Sequence, residues 1–243
     1  MATAAATVPR ARAPRRLYVG LAVLAATIAV VGFWPTYFGP LVAGNVDTTS
    51  IIQFHAAVYV GWLGVFITQA VLAATGRVAW HIKLGRFAIG YGVLVIVVGL
   101  FTAFARFELR VQAGEVAAAQ TQLLGPLLDM LVFAPLFAAA VYYRRTPELH
   151  KRLMIVATTA LLIAAVGRMA FLGSPRNQLL LHLVWVAPIL LAMAHDFWRH
   201  RKVHPVYVLG LVVLALEGPL GRTPARESQV WQDMSGWLVT WVT

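Results

Sequence analysis

The chain has 243 residues, of which 60% are hydrophobic and 12% charged, with a formal charge of +11 and no cysteine. A soluble domain carries about 25% charged residues, so this composition belongs to a membrane protein. The missing cysteine excludes disulfides, thiolate metal sites, Cys-attached haem and cysteine nucleophiles together.

Residues 1–16 hold Arg10, Arg12, Arg15 and Arg16 and no acid, the make-up of a cytoplasmic tail and, more loosely, of a transit peptide. The apolar run behind them is longer than a signal-peptide core and no small-x-small site follows it promptly, so it reads as an uncleaved anchor. A hydrocarbon layer roughly 30 Å thick takes about 20 apolar residues to cross. Seven stretches qualify, at 17–38, 51–73, 87–105, 123–143, 153–173, 179–197 and 205–219. The seventh is short and ends in Glu217-Gly218-Pro219. The longest outer loop, 106–122, contains the Ala-rich run Glu115–Gln122 and should prolong a helix, while Ser174-Pro175 reads as a turn. The tail 220–243 spaces Trp231, Trp237 and Trp241 among polar residues, as a short amphipathic segment at the outer interface would. The expected architecture is all-α: a cytoplasmic tail 1–16, a membrane bundle of seven transmembrane helices over 17–219, and an outer tail 220–243.

Orientation follows from the cations. Arg10, Arg12, Arg15, Arg16, Arg77, Lys83, Arg86, Arg144, Arg145, Lys151, Arg152, Arg199, Arg201 and Lys202 fall in one set of loops. The alternate set holds only Arg106, Arg110, Arg176, Arg222 and Arg226, and Arg168 lies within a span. The positive-inside rule then predicts the N-terminus inside and the C-terminus outside, in a bacterial inner (cytoplasmic) membrane. Topology explains the basic charge. The lipid bilayer is the implied partner, and no nucleic acid is needed.

A weak repeat runs through the spans. Spans 3, 5 and 7 begin with His81, His150 and His204 beside basic residues, and spans 2, 4 and 6 carry His55, Asp129 and His182 soon after their outer start. The pattern is three helical hairpins after a leader helix, as parallel repeats in carriers are built.

Ionisable groups in hydrocarbon cost a few kcal/mol each or more, so they face a partner, a cavity or a cofactor. His55, Asp129, Arg168 and His182 all lie about 5–9 Å in from the outer ends of their spans, with Glu217 at a similar depth. His55, Tyr59, Trp62, Phe66 and Gln69 share one helix face, as do His182, Trp185, Ile189 and Asp196. Three readings are open. Asp129 and Arg168 form an ion pair with the histidines hydrogen-bonded nearby. Alternatively His55 and His182 are axial ligands of haem b, with Tyr59 and Trp62 lining it, Arg168 near a propionate, and the column Gly85, Gly92 and Gly99 giving a flat macrocycle access. Or His55, His182, Asp129 and Glu217 hold a non-haem metal, or carry protons or a substrate. On the inner side, His81, His150 and His204 are interfacial hydrogen-bonders beside lipid head groups, or a second haem or metal site. His195 lies about 220° around the helix from His182 and cannot share its site, and His200 sits in a basic loop.

Several families are excluded. No lysine lies in span 7 for a retinal Schiff base, and HExxH, GxSxG and Walker-type motifs are absent. At His55-x6-Trp62-x6-Gln69, Arg77-x3-His81-x2-Leu84-Gly85-Arg86, Asp129, Arg145-x-Pro147-Glu148-x-His150-Lys151-Arg152-Leu153-Met154, Arg168 and Asp196…His204-Pro205, the chain resembles a group of uncharacterised bacterial multi-pass membrane proteins. The resemblance covers most of 50–215 and implies the architecture and the residues of interest, but no activity. Two-haem cytochrome b-type ferric reductases are an analogy of fold only. The leading expectation is a haem- or metal-binding redox or electron-transfer component. The alternative is a non-catalytic assembly factor or small transporter whose polar cluster is structural.

Overall fold

The computed structural model describes residues 15–45, 48–169 and 177–243, and among these every regular element is helical. Most of the expected 1–16 tail, the Ser174-Pro175 turn and Arg176 lie outside the described residues. Among the described residues, seven helices are long and apolar enough to cross a membrane, the pattern of a multi-pass membrane protein.

The first span is α1 (Arg15–Phe33), a π-helical turn (Trp34–Phe38) and α2 (Gly39–Val42) in succession. Pro35 has no N–H to give, and the ladder loosens there, with the Gly39 N–H reaching back to the Trp34 carbonyl. The second, third and fourth spans are α3 (Ser50–Ala74), α4 (Val78–Gln112) and α5 (Val116–Tyr142). Gly76 and Gly114, at φ +76° and +79°, make the tight turns between them. The fifth is α6 (Pro147–Ala160) continued by α7 (Ile163–Val166), and the sixth is α8 (Gln178–His200). The seventh starts with α9 (Pro205–Glu217), 13 residues or about 20 Å, and continues through a turn into α10 (Arg222–Glu227). The last helix is α11 (Gln229–Thr240).

Packing builds a ring. In order around it, α1, α3, α4, α5, α9 and α8 each touch the next, and α8 closes on α1. Inside sits α6, packed on α1, α5, α8 and α9. The fifth span is accordingly the most enclosed of the seven, with 61% of its apolar window buried against 17–33% for the others. The outward faces of the ring carry exposed Val, Leu and Phe, such as Val60, Val97, Phe101, Leu131, Leu191 and Val212, where lipid replaces water.

One element runs further than the sequence expectation. The third span, expected over 87–105, is a helix of 35 residues, about 52 Å long against roughly 30 Å of hydrocarbon. No proline stands between Gly76 and Gly114, so the helix continues past the apolar stretch at both ends, and α5 doubles back along its far end. Within the expected outer tail, α11 packs on that end of the hairpin. Trp231 and Ser235 are buried against the α4–α5 hairpin, with Gln120 Nε2 donating to Ser235 Oγ at 3.2 Å, while Trp237 and Trp241 stay exposed.

The central helix breaks in mid-span. After Ala160 the ladder tightens to three-residue bonds, the Leu162 N–H donating to the Thr159 carbonyl at 3.0 Å. That carbonyl also accepts the Trp185 indole N–H at 2.9 Å. The neighbouring hydroxyls of Thr158 and Thr159 are buried without partners.

Candidate functional site

Among the described residues, three polar clusters lie in the bundle, two at the basic end and one at the other.

At the end opposite the basic loops, Arg222 on α10 reaches the carboxylates of both Asp129 on α5 and Glu217 at the end of α9. Its Nε also donates to the Glu217 carbonyl at 3.3 Å. The turn at Gly218–Gly221 folds the chain back over α5. A side chain at Gly218 would collide with the Trp185 ring, and one at Gly125 would stand 3.1 Å from the Arg222 guanidinium. Glu217 is buried, and its Oε2 has no partner.

The expected Asp129–Arg168 contact is replaced: Asp129 pairs directly with Arg222, and the Arg168 charge acts on it only from further off. Arg168 donates to the Ala164 carbonyl at 2.5 Å, one turn back on its own strand of helix, and its guanidinium lies 4.8 Å from the Phe33 ring. Arg222, counted in the sequence as a loop charge, takes Asp129. The signal for it was present: two acids, Asp129 and Glu217, stand at one depth, and a Gly-Pro-Leu-Gly turn follows the second.

Among the described residues, no hydrogen bond or ring contact joins His55 to His182. The His55 ring stacks on Tyr59 with centroids 4.1 Å apart, and its Nδ1 is buried without a partner. Tyr59 donates to the Val95 carbonyl at 3.2 Å, and Trp62 packs edge-on to Phe133 and Phe137. This face of α3 thus serves the core shared with α4 and α5. His182 bonds through Nδ1 to the Gln178 carbonyl of its own helix at 2.6 Å, and Trp185 below it serves the core around α1, α6 and α9. α3 packs mainly on α1 and α4, and α8 mainly on α1, α6 and α9. Among the described residues each imidazole is thus engaged with groups of its own helix. In the glycine column, the Phe137 ring fills the space at Gly92, and Tyr59 and Met130 fill it at Gly99. Among the described residues, no group of three or more His, Asp or Glu could hold a metal ion.

At the basic end, Arg152 on α6 is buried and bonds Asp196 on α8 at 2.9 and 3.3 Å, Glu148 one turn back, and the Glu148 carbonyl at 2.9 Å. Lys151 pairs with Glu148 at 2.6 Å and lies 5.0 Å from the Tyr18 ring. Tyr18 on α1 and Tyr207 on α9 join hydroxyls at 3.0 Å. This network ties α1, α8 and α9 to the central helix. Sequence reading saw Arg152 as a topology marker and Asp196 as one member of a face, and found no link between them.

The inner histidines divide. His204 caps α9, its Nδ1 accepting from the Val206 N–H at 3.3 Å. Burial and the Arg152 charge hold its imidazole below the ordinary value, which favours the neutral ring that can accept. His81 and His150 instead face each other from α4 and α6, with ring centroids 6.3 Å apart at 83°. His81 Nδ1 lies 3.2 Å from the Gln69 carbonyl on α3, and His150 Nδ1 lies 2.8 Å from the Ala140 carbonyl on α5. A carbonyl only accepts, so in a neutral ring Nδ1 carries the proton and Nε2 the lone pair. Beside them, the Gln69 side-chain oxygen is buried without a partner.

Fold and clusters together define a seven-helix membrane protein with buried ionic ties at both ends and one pair of facing histidines. No family model matches the chain, and no curated protein or solved structure is found to match it.

Proposed function

We propose that the chain is a membrane metalloprotein of the redox or electron-transfer class, in which His81 and His150 hold the metal. One observation carries this reading: both rings spend Nδ1 on a backbone carbonyl and stand close enough to share an ion. Metal-binding imidazoles characteristically donate the second nitrogen in this way, which fixes tautomer and ring orientation. A metal–imidazole bond is about 2 Å, compatible with ring centres 6.3 Å apart. The Gln69 oxygen is the third donor of that neighbourhood, and imidazole with an oxygen donor suits iron or copper. Either would supply one-electron chemistry when bound. The chain's own contribution is to hold both rings rigidly and to keep adjacent cations occupied, Lys151 and Arg152 being tied to Glu148 and Asp196. The filled glycine column favours a bare ion over haem b. The same two histidines open the His-x-x-Leu-Gly-Arg and His-Lys-Arg-Leu-Met motifs shared with the group the chain resembles.

Metal analysis and the absorption spectrum of the full-length protein in detergent test the reading. Iron or copper should be present or taken up stoichiometrically, lost in H81A and H150A, and kept in H55A and H182A. Equal metal in all four variants, or none bound by the wild type, would overturn it.

We further infer that the N-terminus is cytoplasmic, the C-terminus external and the membrane the bacterial inner one, supported by the uneven split of Lys and Arg between alternate loops. The absence of cysteine makes the check direct. A cysteine at Arg110 should react with an impermeant maleimide in intact cells, and one at Arg144 only after lysis. The opposite pattern reverses the orientation. A second reading, movement of protons or a small solute, is favoured by the mid-span break of α6 with its unpartnered threonines. It gains if the protein proves metal-free.

A further inference from the structure

A groove of about 500 Å³ runs down the lipid-facing side of the bundle between α3 and α4, next to the basic end. Its walls are Leu72 from α3 and Leu84 and Phe87 from α4, and its mouth is framed by Arg77, Trp80 and Lys83. Trp80 is 61% exposed, and the Lys83 ammonium lies 5.1 Å from its ring. Among the described residues, neither Arg77 nor Lys83 forms a salt bridge. The acids of this end, Glu148 and Asp196, are both taken by Lys151 and Arg152.

An apolar channel capped by two unneutralised cations and an exposed indole has the polarity profile of half a lipid molecule turned inside out. Trp favours the head-group level, while basic side chains at the surface attract anionic lipid. Water or a free anion would satisfy the mouth but leave the walls unused. A zwitterionic lipid would satisfy the walls but bring its own cation to the mouth. We propose that this groove binds one anionic phospholipid, its phosphate between Arg77 and Lys83 and one acyl chain along Leu72, Leu84 and Phe87. The assignment is independent of the metal reading, since it uses neither histidine.

Native mass spectrometry of the full-length protein, titrated with phosphatidylglycerol or phosphatidylethanolamine in detergent, tests it. Phosphatidylglycerol should be held preferentially, with R77Q and K83Q each weakening it about fivefold and the double variant about 30-fold, from roughly 1 kcal/mol per cation. Leu72→Trp, which fills the groove without changing charge, should weaken it too. The paired control R144Q/R145Q removes two cations of the same end and should have no effect. All these positions are exposed or half-buried, and an unchanged melting temperature confirms that each variant is folded. Three outcomes overturn the proposal: unaltered retention in R77Q/K83Q, an equal loss in R144Q/R145Q, which would mean general surface charge, or full displacement by inorganic phosphate, which would mean a free-anion site.

Discussion

Arg222 is the side chain on which two buried carboxyls depend. Removing it leaves Asp129 and Glu217 facing each other with no cation in contact, and breaking a buried pair from one side costs roughly 3–5 kcal/mol. R222Q should therefore lower the melting temperature in detergent far more than R168Q, whose guanidinium, among the described residues, contacts a carbonyl and a ring and acts on Asp129 only from further off. The triple variant D129N/E217Q/R222Q should recover much of the loss, because no unpaired charge remains. Equal effects of R222Q and R168Q would return Arg168 to its expected role as the partner of Asp129. The contrast shows what a sequence holds at this scale. Hydropathy flagged Asp129, Glu217 and Arg168 because charges inside apolar runs stand out on a line of letters. Arg222 stood outside such a run, and only the fold-back at Gly218–Gly221 carries it inward. His81 and His150 were visible as the first letters of two similar motifs, but their facing each other depends on α4 and α6 both lying against α5.

Helices were the easier part. Apolar length alone places all seven, since a bilayer imposes nearly one length on each. Their ends were less legible, because amphipathic turns such as Val78–Arg86 and Arg106–Gln112 are helical without being apolar. The break in α6 was invisible. It holds neither Pro nor Gly, and the ladder tightens where Trp185, from another helix, takes a carbonyl the α-helical pattern would have used. Trp185→Phe keeps most of the volume and removes that N–H. It should cost about 1–3 kcal/mol in thermal stability for the lost hydrogen bond and the less satisfied carbonyl. It should also speed hydrogen exchange at 160–166 specifically. Unchanged exchange there would mean that the indole does not hold the break.

For the whole molecule, close contact with the centre matters more than contact with lipid. Gly210 of α9 lies against Val156 of α6, and a methyl group added at Gly210 would stand 2.7–2.8 Å from the valine methyls. Gly90 on the outer side of α4 has open space around it. G210A should destabilise by about 1–3 kcal/mol through overpacking, whereas G90A should be neutral or slightly stabilising. Similar melting temperatures for the two would deny α6 its place inside the ring. That place also has a meaning in time. A ribosome delivers the fifth span when α1, α3, α4 and α5 already exist, but α8 and α9, which close the ring, do not. Until they arrive, the nascent bundle is a horseshoe with its polar filling on one open flank. Arg152 then has Glu148, four residues away, but not Asp196, 44 residues downstream. The Thr159 carbonyl meanwhile lacks the indole that α8 will later bring. The central helix, best protected in the finished protein, is the least protected during its birth.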